Sequence, residues 1–409
     1  MDPAAHDRRL KVLIPNLPTF DDLEPWLRRI DDNRHYTNFG PLNRELEEAL
    51  SALIRAEHAV TVSSGTLGLE LALTALGLRA GSRVLVPSMT FPASATAIVR
   101  AGLIPVFGDI DDRRLVMTPD IARRSASETD VRAVLTVAVH GEVHDPDAWD
   151  AFTAETGLPV LIDAAGVVGR QRVGRTTSAV FSLHATKPIA AGEGGVVATR
   201  DAAMARRVRS LSNFGFDTGR VRAVGTNAKL SEYHAALGLA ALARWPRTLE
   251  RWTSLYDTYA HLLQTSDPEA GLRLATARTA PSNLCVRVKQ TIDDRHIQAL
   301  SGVGIETRRW YWPPVHRHPA FSRYACVGDL ATTDRAGAEL LGLPFSLDLD
   351  RDDIERVCAA LRSTLIPENA APHGCADLAG LAAGGVPRGV GRGFDPDPSG
   401  PPEGTPSRM

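Results

Sequence analysis

Residues 182–187 read Ser182-Leu183-His184-Ala185-Thr186-Lys187, with Gly192-Glu193-Gly194-Gly195 just downstream and Pro159-Val160-Leu161-Ile162-Asp163 just upstream. The lysine decides the reading, because only four lysines occur among 46 lysine and arginine residues. Arginine stays protonated at any useful pH, whereas a desolvated lysine can lose its proton and attack a carbonyl to form a Schiff base. An apolar run ending in an acid on one side, and a glycine-rich turn on the other, point to a pyridoxal phosphate site on an α/β sheet.

Working outward, Arg83-Val84-Leu85-Val86-Pro87 and Ile104-Pro105-Val106-Phe107 are short β-branched runs separated by helix-like stretches, the alternation of βαβ units. Ala133–Ala138, Pro159–Ile162, Ala179–Leu183 and Gly195–Thr199 are further strand candidates, apolar enough for both faces of a parallel sheet to be covered. Leu67–Leu76 predicts a helix starting just after Ser64-Gly65, with its N-terminus at the sheet's C-terminal edge. Ser231–Arg244 predicts another, and beyond Pro246 a charged helix over Leu249–Leu263 leads toward small strands at 286–288 and 343–345. The expected fold is α/β: a large domain over 10–245 with a mostly parallel doubly wound sheet, then a smaller α+β domain over 246–366. Residues 367–409, rich in Ala, Gly and Pro, read as a disordered tail.

Composition narrows the function classes. A formal net charge of −2 offers no general attraction to nucleic acid or an anionic membrane, so neither is expected as a partner. The polar start, Met1–Arg9, lacks an apolar signal core, and no apolar run reaches about 18 residues, so a cytoplasmic location is expected. Cys285, Cys326, Cys358 and Cys375 are widely spaced and read as reduced thiols rather than metal ligands.

A pyridoxal enzyme needs an amine, an acid facing the pyridine nitrogen, an anion cradle and a surface for the ring. Lys187 supplies the amine and a proton shuttle, its alternative being a surface lysine in a loop. Asp163, ending a buried strand, suits the pyridine nitrogen, although it could simply cap a following helix. Ser64, Gly65 and Thr66 suit a phosphate, since glycine admits the backbone and a helix start presents free N–H groups; a plain N-cap would look the same. Ser182 is a second phosphate candidate. Phe91 could stack on the ring or belong to the core.

The segments Thr37-Asn38-Phe39-Gly40-Pro41, Ser63–Thr66, Pro87–Ser94, Asp163–Gly166, Phe181–Gly195, Gly225–Glu232 and Trp310–His316, in that order, resemble the DegT/StrS family of nucleotide-sugar aminotransferases, within the aspartate-aminotransferase-like fold. The resemblance covers roughly residues 10–365. It implies pyridoxal 5'-phosphate, a nucleotide-sugar substrate, glutamate as amino donor, and a homodimer with shared sites, Asn227 reaching the neighbour's cofactor phosphate. It also implies cofactor contact by Ala165 and substrate contact by Lys229, Tyr311 and His316, surface charge being the alternative for Lys229. Gly225–Glu232 and Asn213-Phe214-Gly215-Phe216 look most like the subgroup aminating C4 of a dTDP-4-keto-6-deoxyhexose, with C3 amination and a non-turnover sensor as the alternatives. Two departures stand out. Gly166 replaces the usual glutamine or histidine that meets the cofactor's ring hydroxyl, for which His184 is a substitute candidate, and Ala138 stands where histidine is common, before His140-Gly141.

Overall fold

The computed structural model describes residues 8–264, 272–275 and 283–365; the tail expected over 367–409 lies outside them. A seven-stranded sheet is made by β1 (His58–Val62), β2 (Arg83–Pro87), β3 (Ile104–Gly108), β4 (Ala133–Val137), β5 (Val160–Asp163), β6 (Ser178–Ser182) and β7 (Gly195–Thr199). Their order across the sheet is β1-β7-β6-β5-β4-β2-β3. Pairings from β3 through β6 are parallel, and β7 runs antiparallel to both β6 and β1. This corrects the expectation that Gly195–Thr199 joins the parallel set. The segment from Leu183 to Gly194 holds no helix, so it turns the chain straight back rather than carrying it over a face. The edge strand β1, absent from the sequence reading, is a β-branched run too short to stand out from the helix Pro41–Ile54 before it.

Crossover helices Pro92–Arg100, Pro119–Glu128 and Pro146–Thr156 each begin on proline, whose missing N–H is one of the groups a helix start leaves unpaired anyway. They bring successive strands back in the same direction, so the ends of β2, β4, β5 and β6 share one edge, the usual place for a site in an open α/β sheet.

Glu232–Gln264 is one helix of 33 residues that runs through Pro246. The sequence reading broke it there, since proline in a helix interior costs about 3 kcal/mol. Burial of Trp245, Trp252, Leu255 and Tyr259 along the same helix offsets that cost, and the Tyr259 hydroxyl donates to the Pro344 carbonyl at 2.7 Å. A short hairpin, β8 (Phe216–Asp217) with β9 (Arg220–Val221), leaves Phe214, Phe216, Val221 and Val224 exposed. A second sheet holds β10 (Arg273–Leu274), β11 (Leu284–Arg287) and β12 (Leu340–Leu343), all antiparallel. Its β11 and β12 start two to three residues earlier than the strands expected at 286–288 and 343–345. Among the described residues no helix is long and apolar enough to cross a membrane, and no group of His, Cys, Asp and Glu is disposed to hold a metal. Cys285, Cys326 and Cys358 are free thiols, and Cys375 lies outside the described residues.

Candidate active site

A cavity of about 400 Å³ opens at the shared strand edge, and most of the sequence-predicted site residues line it. Asp163 ends β5 at 4% exposure. Its carboxylate accepts from Ser94 Oγ at 2.7 Å and from the Ala165 N–H at 3.1 Å. Burial pushes its pKa up, opposed by those two hydrogen bonds and by the Lys187 charge. No helix follows it before Ala202, so the capping alternative is excluded. Ser94 is held in turn by Thr90 Oγ1 at 2.7 Å, a hydroxyl relay the sequence reading did not anticipate.

Lys187 sits on the turn between β6 and β7. The turn is pinned by Ala185 N–H to Gly192 carbonyl (2.8 Å) and Ala191 N–H to Leu183 carbonyl (2.7 Å), with the Lys187 N–H on the His184 carbonyl (2.8 Å). Gly192 adopts φ 76°, a left-handed conformation that favours glycine. Burial pushes the Lys187 ammonium below its ordinary range while Asp163 pulls it back, so this is a desolvated amine rather than a surface charge.

Ser64 caps the helix Gly65–Ala75, its Oγ accepting from Leu67 N–H at 3.1 Å. The first N–H groups, on Gly65 and Thr66, have no partner within the helix and line the cavity. Glycine is required at Gly195, where a Cβ would lie 2.6 Å from the Ser64 carbonyl carbon, and favoured at Gly65, where one would lie 3.0 Å from the Ser182 Cβ. The close approach brings Ser64, Gly65, Thr66 and Ser182 together in the cavity lining at the β6–β7 side, a helix start suited to an anion. Phe91 precedes the helix Pro92–Arg100 and is 63% exposed at the cavity, which removes the core alternative. Ala165 and Gly166 complete this part of the lining.

The opposite wall comes from the loop after β4 and from residues 283–311. Ala138, His140, Asn283, Arg308, Trp310 and Tyr311 line it. The His140 ring packs at a tilt against Tyr311, centroids 5.3 Å apart, and its Nδ1 lies 3.4 Å from Cys285 Sγ. Burial pushes its pKa down to about 4, with the Asn283 side chain opposing. Burial also drives the Tyr311 phenol well up, so it stays protonated. Of these residues only Tyr311 was expected in the site. Ala138 was noted as a departure and His140 only as part of the turn after it, a polar group just past a strand end being the available signal; Trp310 opens a segment quoted for the resemblance but was given no role, and Asn283 and Arg308 carry no local signal. Arg308 is exposed beside the Trp310 ring at 4.9 Å, and among the described residues no carboxylate pairs with it.

His184 lines the cavity with its Nδ1 on Thr186 Oγ1 at 2.9 Å and its Nε2 3.7 Å from Glu193. Three expected residues lie elsewhere. His316 is buried under the loop after β2, Nδ1 on Ser88 Oγ at 2.6 Å and Nε2 3.5 Å from Asp334. Lys229 Nζ donates to Asn227 Oδ1 at 2.6 Å and Asn213 Oδ1 at 3.1 Å, over the Phe214 ring. Neither Asn227 nor Lys229 lines this chain's own cavity.

A desolvated lysine, a buried carboxylate, a helix start free to hold an anion and an aromatic face are the groups pyridoxal phosphate requires, so the lining fits that cofactor. The chain is 33% identical over 353 residues to the erythromycin biosynthesis sensory transduction protein EryC1 of Saccharopolyspora erythraea, covering 84% of this chain and 95% of that protein. It is 32% identical over 352 residues to the GDP-perosamine synthase of Caulobacter vibrioides, covering 82% and 93%. The crystal structure of DesI in the presence of its TDP-sugar product superposes with a TM-score of 0.80 at 34% identity, over 88% of this chain and 94% of that one. The protein is thus an enzyme of sugar amination: it belongs to the DegT/DnrJ/EryC1/StrS aminotransferase family, whose model matches residues 21–362.

Proposed function

We propose that the enzyme converts a dTDP-linked 4-keto-6-deoxyhexose to the 4-amino-4,6-dideoxyhexose, with pyridoxal phosphate as cofactor and glutamate as donor. The observation that carries this is the pairing, in one cavity, of the desolvated Lys187 amine with the buried Asp163 carboxylate. The likeness to DesI with its TDP-sugar product supports the nucleotide, and the Gly225–Glu232 and Asn213–Phe216 segments support the position aminated.

Bound there, pyridoxal phosphate supplies an electron sink conjugated to the carbon that exchanges its amine. Asp163, costly to ionise alone in its buried position, would be balanced by a protonated pyridine nitrogen and would hold that proton in place. The Ser94–Thr90 relay fixes which way the carboxylate points. Lys187 would accept a proton in one direction and return it in the other, a task suited to an amine whose pKa burial has lowered. Ser64, Gly65, Thr66 and Ser182 hold the phosphate, and Phe91 covers one ring face. Arg308, a cation at the cavity with its fork free of carboxylates among the described residues, takes a carboxylate of the donor.

We place the enzyme in the cytoplasm as a homodimer, with a large domain over 10–245 and a small one over 246–366. The exposed Phe214, Phe216, Val221 and Val224 around the β8–β9 hairpin form an apolar arm beside Asn227 and Lys229, suited to cover a second copy and bring Asn227 to its phosphate cradle.

The test is to incubate the purified protein with pyridoxal phosphate, glutamate and dTDP-4-keto-6-deoxyglucose, with the GDP-linked sugar in parallel. A dTDP-amino sugar with nitrogen at C4, identified by mass and NMR, is the expected product. Preference for the GDP sugar would overturn the nucleotide, nitrogen at C3 the regiochemistry, and no glutamate-dependent conversion of the cofactor to its amine the reading as a whole.

A further inference from the structure

The sheet order fixes which way the bound ring faces, given the reading of the site as a pyridoxal phosphate site, on which this inference rests. Asp163 ends β5, and β5 lies between β6 and β4. The anion cradle of Ser64, Gly65, Thr66 and Ser182 is on the β6–β7 side. In pyridoxal phosphate the ring nitrogen and the carbonyl-bearing carbon lie on one axis, and the phosphate arm and the ring hydroxyl flank that axis on opposite sides. With the nitrogen at Asp163, the carbonyl toward Lys187 and the phosphate toward β6, the hydroxyl turns toward β4.

On that flank the side chains nearest the end of β5 offer little polarity, since Ala138, Ala165 and Gly166 carry none. Of the polar side chains on that wall, which include Asn283 and Tyr311, His140 is the one carried by the loop that directly follows β4. It is 3% exposed and lines the cavity, and its buried Nε2 makes no hydrogen bond of good geometry, although the Asn283 side chain stands close by. Its other nitrogen faces the Cys285 thiol at 3.4 Å. A thiol donating to Nδ1 leaves the proton of the neutral ring on Nε2, which is then a donor looking for an acceptor. The ring is braced by Tyr311, whose own hydroxyl has the Asn283 amide beside it. His184 is a weaker candidate, because Thr186 holds its Nδ1, Glu193 stands near its Nε2, and it sits on the β6–β7 turn.

We infer that His140 Nε2–H donates a hydrogen bond to the ring hydroxyl oxygen of pyridoxal phosphate, from the wall opposite the phosphate cradle. An unpaired buried donor is costly, so the bond both stabilises the bound cofactor and discriminates against an analogue without the hydroxyl.

Full-length protein stripped of cofactor is titrated with pyridoxal phosphate and with 3-deoxypyridoxal phosphate, in which hydrogen replaces the hydroxyl. Wild type should bind the first about tenfold more tightly, and His140→Ala and the volume-keeping His140→Leu should bind both alike. A merely structural histidine would weaken both ligands equally and leave the preference intact. In the unaltered protein, nitrogen-15 histidine spectra should show one Nε2–H signal moving downfield with pyridoxal phosphate and not with the analogue. A preference that survives in the variants, or no such signal in wild type, overturns the assignment. Failure of wild type to attach either ligand at Lys187 would instead remove the reading of the site, and this bond with it.

Discussion

The two walls of the cavity are assembled in opposite ways. One is built from strand ends and turns of β5, β6 and β7 with the helix start at Gly65, and its groups, Asp163, Ser182 and Lys187, fall within a short stretch of chain. The other gathers His140, Asn283, Arg308 and Tyr311 from loops far apart in sequence. In the proposed reaction the first wall holds the groups that move protons and anchor charge. The second presents donors and a cation suited to recognising what enters. If that division is right, substitutions in the first wall depress turnover, and those in the second change affinity and selectivity.

The largest effect is expected at Lys187. Lys187→Ala should lower turnover by at least about 10⁴-fold, since one residue serves as both anchor and proton shuttle. Borohydride treatment of the wild type should fix the cofactor to this lysine and no other. Asn227→Ala should also be nearly inactive if it completes the neighbour's cradle, and subunit exchange between the two variants should recover about a quarter of wild-type activity, because half the dimers hold one intact site. Verified exchange without recovery would leave Asn227 serving its own chain.

Asp163→Asn comes next, with an expected loss of about 3 kcal/mol of transition-state stabilisation, or roughly a hundredfold in kcat. The amide cannot balance a protonated ring nitrogen in a buried setting. Near-normal turnover would break the contrast between the walls at its strongest point.

The second wall should reveal itself through acid. His140 and His144 both have pKa values pushed down to about 4 by burial, against 6.5 for a free histidine. The unfolded chain therefore takes up protons first as pH falls, so stability is full above about 6.5 and is lost between about 6.5 and 4, by about 3 kcal/mol per histidine at the lower limit. His144 is held by Trp149 Nε1–H at 3.2 Å and Thr136 Oγ1 at 3.2 Å, directly behind the loop that carries His140. Melting temperature followed across this range should fall steeply, and less so in His140→Leu. An unchanged slope in that variant would mean that His140 is not titrating as a buried neutral ring.

The same division explains what could be read from sequence. Lys187, Asp163 and Ser64 were legible because each sits at an abrupt change of local pattern: an apolar strand ending in acid, a glycine turn, a helix start. Strand β7 was legible as a strand and misjudged in direction, since direction depends on whether the intervening Leu183–Gly194 turn contains a helix. Helix Glu232–Gln264 was cut at Pro246 because local propensity is visible in sequence, while the burial of Trp245 and Trp252 that outweighs it is tertiary. His316 was misplaced for a similar reason. Its motif named it, but only packing shows that Ser88 and Asp334 have claimed its ring. Arg308 and Asn283 had no local signal at all, because what makes them site residues is the distance the fold closes between them and Lys187.

The smallest expected effect is at Arg308, and it sharpens the comparison most. The guanidinium is exposed at the cavity beside Trp310, and no carboxylate of the described chain neutralises it. A fork of that kind binds a carboxylate through two parallel hydrogen bonds, and partial exposure to water limits the gain to about 1–2 kcal/mol. Arg308→Ala should then raise the KM for glutamate about tenfold and leave kcat and the KM for the nucleotide sugar nearly unchanged. Arg308→Lys should fall between, since a point charge replaces the planar fork. A rise confined to the KM of the nucleotide sugar would reassign Arg308 to the diphosphate while leaving it in the recognition wall. A fall in kcat with both KM values unchanged would move it to the chemistry, and the separation of the two walls would fail there.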